Sequence, residues 1–130
     1  MNGAVSLTIR EASDRIRSGA LDAVELMQSC LDATDRLDNQ LNVFVTRVDR
    51  EVLLERAADV DRQRQAGLEL GPLAGIPIAL KDIYFTSDLP TTASSKVLAG
   101  HRTKEDAFTV TKLRQAGALI VGKLQTHEFA

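Results

Sequence analysis

The most constraining feature of this chain is a short apolar run, residues 76–80 (Ile-Pro-Ile-Ala-Leu), that leads directly into Lys81. A run of this length without alternation predicts a β-strand that is covered on both faces. A lysine at the end of a buried strand is costly unless its charge is paired or removed, and burial disfavours the ammonium form. Because a neutral lysine can accept a proton from a serine hydroxyl, Lys81 is a candidate general base.

Composition narrows the class of protein. The 130 residues carry a formal net charge of −2, with 44% hydrophobic and 26% charged residues, which is ordinary for a globular protein with a modest core. This balance gives no electrostatic reason to expect nucleic acid or an anionic membrane as a partner. Aromatic residues make up only 4% of the chain and tryptophan is absent, which argues against a base-stacking surface.

The sequence carries no recognisable signal for secretion, membrane insertion or metal binding. It lacks a basic start followed by an apolar run, and no apolar stretch approaches the roughly 20 residues that cross a bilayer. We therefore expect a cytoplasmic protein. Cys30 is the single cysteine, so no intrachain disulfide can form. Neither His101 nor His127 has neighbours at metal-ligand spacing, and we expect no metal and no cofactor.

The first part of the chain, residues 1–67, has the pattern of a helical segment. Thr8 and Glu11 have capping-box spacing, which predicts a helix start at Thr8, and Gly19 is a typical helix stop. The other elements predicted here are a helix that starts near Asp22, a short strand within residues 42–47, and a helix over residues 50–66 that ends at Gly67.

The second part, residues 68–130, is richer in glycine and in β-forming residues. After the strand that ends at Lys81, residues 82–100 show no period and predict a long loop. A helix is expected over residues 106–115, followed by a second apolar run, residues 118–121, that Gly122 ends. Strand, crossover helix and strand predict a parallel pairing. Two such strands do not make a covered sheet, so more chain or a partner is needed.

Four blocks of sequence, in one order and at one spacing, closely resemble the amidase signature family. They cover nearly the whole chain when they are taken with residues 7–37, which are similar to the family's N-terminal helical segment. The blocks are residues 75–82 (Gly-Ile-Pro-Ile-Ala-Leu-Lys-Asp), residues 90–96 (Pro-Thr-Thr-Ala-Ser-Ser-Lys), residues 105–107 with 113–118, and residues 122–123 with 128–130 (Gly-Lys and Glu-Phe-Ala).

The resemblance implies an α/β fold. N-terminal helices would be followed by the first strands and the crossover helix of the family's mixed-sheet α/β/α architecture, which these 130 residues leave incomplete. Residues 1–130 would then form the N-terminal part of a single amidase signature domain, with residues 1–67 as its helical segment and residues 68–130 as its strand, lysine, loop, helix and strand segment.

The same resemblance implies a chemistry. Enzymes of this family hydrolyse carboxamides through a serine, a second serine held by a cis peptide bond, and a lysine, and Lys81 matches the family's catalytic lysine. The glycine- and serine-rich signature that supplies both serines normally follows the Glu-Phe-Ala block, with which this sequence ends at Ala130. We therefore expect this chain to supply only the lysine base and to be inactive alone.

Other polar residues near Lys81 are weaker candidates. Thr92, Ser94 and Ser95 are expected either to line the substrate site or to bond their own backbone, as hydroxyls in loops commonly do. Ser94 and Ser95 do not match the family's serine positions, so neither is predicted to be the nucleophile. Asp82 is expected to be structural, because a carboxylate beside Lys81 would favour its charged form.

Three functions remain open from the sequence. The first is the N-terminal part of an amidase that acts on a small-molecule amide. The second is the amidase-type subunit of a glutamine-dependent tRNA amidotransferase, which belongs to the same family. The third is a non-catalytic interaction module from a truncated amidase, whose exposed strand edges would favour self-association or pairing with the missing C-terminal portion.

Overall fold

The computed structural model describes residues 3–130. Helices dominate the first part of the chain, which also contributes one strand, and two strands with a crossover helix between them lie in the second. The elements are α1 (Ile9–Ser18), α2 (Ala23–Leu41), β1 (Phe44–Arg47), α3 (Arg50–Gln65), β2 (Pro77–Lys81), a 3₁₀ turn (Lys96–Leu98), α4 (Phe108–Gln115) and β3 (Leu119–Leu124).

The boundaries of α1 follow from local chemistry. The Thr8 hydroxyl accepts a hydrogen bond from the Glu11 N–H, and the Glu11 carboxylate accepts one from the Thr8 N–H, which completes the predicted capping box. Gly19 closes the helix in the left-handed conformation with φ of 77°. Both predicted ends of this helix are confirmed.

The three strands form one mixed sheet in the order β1-β3-β2. β2 and β3 run parallel, which confirms the pairing predicted from strand, crossover helix and strand. β1 lies antiparallel against the other edge of β3 and confirms the short strand predicted within residues 42–47. The fold class predicted from the sequence is thus observed, with β3 as the central strand of this small sheet.

Gly122 does not end β3, contrary to the prediction from the sequence. The strand continues through it to Leu124. The reason is close packing of β1, since a Cβ at Gly122 would lie 2.4 Å from the Thr46 carbonyl oxygen and 2.9 Å from Phe44 Cδ1. A glycine inside a strand commonly marks such an approach of another backbone.

α4 is shorter at its start than the predicted helix over residues 106–115. It begins at Phe108, because Asp106 and Ala107 bind the preceding loop instead of entering the helix. The Ala107 N–H donates to the Phe85 carbonyl at 2.9 Å, and the Asp106 carboxylate accepts a bond of 2.7 Å from the Ser87 N–H.

The main core joins the two parts of the chain. It packs one face of α1, α2 and α3 against the segment that leads into β2, and its buried members include Ile16, Met27, Leu53 and Ile76. A smaller cluster of Leu80, Val110 and Ile120 lies between the sheet and α4. Within residues 3–130, no helix is long and apolar enough to span a membrane.

Candidate functional site

Lys81 is the last residue of β2, at the carboxyl end of a parallel strand pair. Its Cα is in register with Leu124 of β3, and the next N–H along the chain, that of Asp82, donates to the Leu124 carbonyl at 3.0 Å. The side chain of Lys81 is exposed, whereas Leu80 before it is buried. Lys81 therefore lies at a strand end, as expected. Its side chain is not buried by residues 3–130, contrary to the expectation.

The buried lysine of this chain is Lys123, on β3. Its side chain has 0% exposure, and its Nζ donates to Asp82 Oδ1 at 3.2 Å, to the Pro90 carbonyl at 3.1 Å and to Thr91 Oγ1 at 2.7 Å. Burial lowers the pKa of the Lys123 ammonium, and the hydrogen bond and charge of Asp82 oppose that change. All three ammonium protons have an acceptor, which is what an ion buried this deeply requires.

The carboxylate oxygens of Asp82 are occupied within the protein, which fits the structural role expected from the sequence. The side chain has 0% exposure, and Oδ2 accepts from both the N–H and the hydroxyl of Thr92 while Oδ1 faces Lys123. Its backbone carbonyl accepts from the Ala93 N–H at 2.9 Å. Asp82 therefore pairs with a lysine on the neighbouring strand and fixes the loop that follows, as a residue of local structure does.

Ser94 and Ser95 each bind another part of the chain. The Ser94 hydroxyl donates to Gln125 Oε1 at 3.1 Å and accepts from the Thr126 N–H at 3.1 Å. The Ser95 hydroxyl donates to Glu128 Oε1 at 2.7 Å. Both residues therefore connect the loop after β2 to the segment after β3. That segment begins directly after Leu124, the partner of Lys81 in the sheet.

The predicted hydroxyl residues lie together on one groove. The groove has a volume of about 370 Å³ and is bounded by β1, by the loop after β2 and by the segment after β3. Lys81 is not among its lining residues, which are Val45, Thr46, Pro90, Thr92, Ser94, Ser95, Lys96, Ala99, Gly100 and Gln125.

No group of three or more His, Cys, Asp or Glu side chains within residues 3–130 is placed to hold a metal ion. Both histidines are exposed. Cys30 is half-buried on α2, where burial raises the pKa of its thiol. The two histidines therefore belong to the surface, and Cys30 lies at the edge of the core.

The sequence did not predict that Lys123, near the candidate site, is buried and paired with Asp82. It follows a glycine after an apolar run, a position that was expected to lie beyond the end of the strand. One signal was available, because Lys123 stands in a Gly-Lys pair that belongs to the blocks of the family resemblance. Its three partners come from residues 32 to 41 positions away, which no local pattern links to it.

Comparison with known proteins decides the family. The family model described as Amidase matches residues 25–130, which is most of the chain. The chain belongs to the amidase family. Among solved amidase structures, the peptide amidase from Stenotrophomonas maltophilia superposes with a TM-score of 0.88 at 34% identity, over 98% of this chain and 26% of that one.

Sequence relatives of this amidase chain carry a narrower name, that of a glutamyl-tRNA(Gln) amidotransferase subunit. The relative from Thermobifida fusca is 43% identical over all of this chain, and the one from Rhodopirellula baltica is 44% identical over 92% of it. The chain covers 26% and 24% of these two relatives, so it spans about a quarter of their length.

Proposed function

We propose that residues 1–130 form the N-terminal part of an amidase that hydrolyses a carboxamide to a carboxylic acid and ammonia or an amine. The observation that carries this proposal is the placement of Lys81 at the carboxyl end of β2, in a chain of the amidase family. In open α/β sheets, the carboxyl ends of parallel strands are where ligands commonly bind.

In this proposal Lys81 is the base of a serine, cis-serine and lysine arrangement. The lysine takes the proton of the bridging serine, which in turn takes the proton of the serine that attacks the carbonyl. Lys81 is exposed and so can meet the chain segment that carries the serines, whereas the ammonium of Lys123 is held by Asp82, Pro90 and Thr91. In this proposal that segment buries Lys81 and so favours its neutral form, which accepts the proton. Both serines would come from chain outside these residues, so we expect no turnover from residues 1–130 alone.

The groove beside the strand ends supports a place for the substrate. Thr92, Ser94 and Ser95 all line it, and so does Gln125, which directly follows Leu124, the partner of Lys81 in the strand register. Its lining offers hydroxyl and amide groups that can bind a carboxamide by hydrogen bonds. We propose that these three residues contact the substrate or the chain segment that carries the serines.

A second candidate function is that of the amidase-type subunit in a glutamine-dependent tRNA amidotransferase. The observation that favours it is sequence identity, which is higher to the Thermobifida fusca relative, at 43%, than to the peptide amidase, at 34%. In that case the carboxamide is that of glutamine, and the released ammonia passes to another protein of the complex. Both candidates use Lys81 in the same role.

The test of the proposed function is Lys81→Ala in the longer amidase polypeptide that carries these residues. Loss of a general base lowers turnover by about 10²–10⁴-fold, and we expect at least that loss with folding unchanged. Lys104→Ala is the matched control, because Lys104 is another exposed lysine but does not lie at the end of a β-strand. Turnover by Lys81→Ala at the level of the control would refute the assignment.

The substrate that the polypeptide uses distinguishes the two candidate functions. Release of ammonia from glutamine that depends on added partner proteins supports the amidotransferase. Hydrolysis of simple carboxamides by the isolated polypeptide, with glutamine a poor substrate, supports the amidase.

A further inference from the structure

Lys123 connects the central strand to the loop that follows β2. All three partners of its ammonium, Asp82, Pro90 and Thr91, lie in the segment that follows β2. The side chain of Lys123 is buried over its whole length, and Thr91 is 3% exposed. The contact therefore fixes the loop from inside the protein, where water does not compete for the hydrogen bonds.

Asp82 extends this contact in two directions. It is the next residue after Lys81, and its N–H holds the end of β2 to Leu124. Its carboxylate binds the N–H and hydroxyl of Thr92, and its carbonyl binds the Ala93 N–H. One buried charge pair thus adjoins both the strand end that presents Lys81 and the loop that lines the groove.

The loop requires such support because part of its backbone is strained. Ala93 and Ser94 have φ of 49° and 51°, in the left-handed region that residues other than glycine rarely adopt. Strained residues of this kind persist only when surrounding contacts determine them, and they cluster at functional sites. Thr92, immediately before them, is held by Asp82, and Ser94 is held by Gln125 and Thr126.

We propose that Lys123 is a positioning residue for the amidase reaction, which acts through Asp82 to hold Lys81 and the groove loop in one fixed geometry. The inference rests on the proposed function, since it assigns the reaction's base to Lys81. It adds a role for a second lysine, Lys123, whose three partners all lie within the chain. A buried ion pair is seldom better for stability than well-packed apolar side chains, whereas it fixes the direction of the groups that it binds.

The experiment compares variants of the longer amidase polypeptide that carries residues 1–130. The main variant combines Asp82→Asn with Lys123→Met, so that no buried charge is left without a partner. Thr91→Val removes one partner of Lys123 and keeps the charge pair, which gives a milder change if the double variant does not fold. Lys104→Met is the control for loss of an exposed lysine.

Two readouts are measured on each variant. The first is hydrogen exchange at the Thr92 and Ala93 amides, which donate to Asp82 and report on the loop without any turnover. The second is kcat per active site, with sites counted by reaction with a serine-directed acylating agent, so that unfolded protein does not lower the value. KM is measured for the same carboxamide.

In the double variant we expect the Thr92 and Ala93 amides to exchange at least about tenfold faster. We expect kcat to fall by up to about 100-fold, which is the cost of displacing a catalytic group by about 1 Å. KM should change much less. Thr91→Val should show both effects to a smaller degree, and Lys104→Met neither.

The positioning role is overturned if the amides exchange as in the unmodified protein, or if they exchange faster while kcat per site is unchanged. The latter result would leave Lys123 with a structural role alone. Full activity of Lys81→Ala would refute the proposed function separately, and the positioning role, which needs Lys81 as the base, would fall with it. The exchange data would then still show whether Lys123 fixes the loop.

Discussion

Asp61, on α3, caps the start of α2 by binding Ala23. Its Oδ1 accepts a hydrogen bond of 2.9 Å from the Ala23 N–H, and its Oδ2 accepts one of 3.1 Å from the Val24 N–H. Asp22 occupies the N-cap position itself but makes no capping bond with its side chain, which binds Arg64 at 2.7 Å instead. The free amides of α2 are therefore satisfied by a distant helix, which links the formation of the two helices.

The first prediction concerns this distant cap. Asp61→Ala should lower the free energy of unfolding by about 2 kcal/mol, the upper part of the range for a lost cap, because one buried and one half-buried amide lose their acceptor. Asp22→Ala is the control, and we expect at most about 1 kcal/mol from it, since it loses an ion pair with an exposed carboxylate. Urea unfolding measures both. A larger loss at Asp22 than at Asp61 would contradict the assignment of the cap.

The second prediction concerns the glycine inside β3. Gly122→Ala places a Cβ 2.4 Å from the Thr46 carbonyl oxygen, so β1 must move away from the sheet. We expect a loss of about 1–3 kcal/mol, the usual cost of forcing extra atoms into a packed site. Gly3→Ala is the matched control, because nothing lies within 4 Å of its added methyl group. Thermal unfolding of the two variants measures the difference, and equal melting temperatures would contradict the close contact.

The parts of the fold that were predicted from sequence are those that local contacts determine. The ends of α1 depend on Thr8, Glu11 and Gly19, which lie within or beside that helix. The parallel pairing of β2 and β3 follows from chain direction and a short crossover helix. The extent of β3 was predicted wrongly at Gly122, because the reason for this glycine is a strand that is distant in sequence.

The candidate site was predicted less completely, for the same physical reason. The position of Lys81 at a strand end could be predicted, since it follows an apolar run. Which lysine is buried could not, because the burial of Lys123 depends on Asp82 and on a loop that folds back over β3. The role of Lys81 as a base stays a prediction.

The third prediction concerns pH and the loop before α4. Burial alone would raise the pKa of the Asp106 carboxyl, but hydrogen bonds from the Ser87 N–H and hydroxyl, together with Arg114, outweigh it and hold that pKa below its usual value. A depressed pKa means that the unfolded state binds more protons in acid. The stabilisation is therefore fully present above the usual aspartate pKa near 4 and is lost as pH falls through the lower value of the folded state.

Hydrogen exchange at the Ser87 amide measures this loss, after correction for the intrinsic effect of pH. Protection should fall as pH is lowered below about 4. In Asp106→Asn the protection should be lower at neutral pH and should depend less on pH over the same interval. Asp59→Asn is the control, since Asp59 lies on an exposed face of α3. An unchanged pH dependence in Asp106→Asn would show that another group is responsible.

The last prediction separates Ser94 and Ser95 from the nucleophile. Each hydroxyl donates to a side chain that follows β3, Ser94 to Gln125 and Ser95 to Glu128, and neither serine matches a serine position of the family. We therefore expect both to hold the loop and neither to attack a carbonyl. In the longer amidase polypeptide, Ser94→Ala and Ser95→Ala should leave kcat within about tenfold and raise KM a few-fold, as loss of uniform substrate binding does. Ser18→Ala, on the exposed end of α1, is the control and should change neither constant. Removal of a serine nucleophile lowers kcat by on the order of 10⁶-fold, so a loss of that size at Ser94 or Ser95 would reverse the assignment and place the nucleophile within residues 1–130.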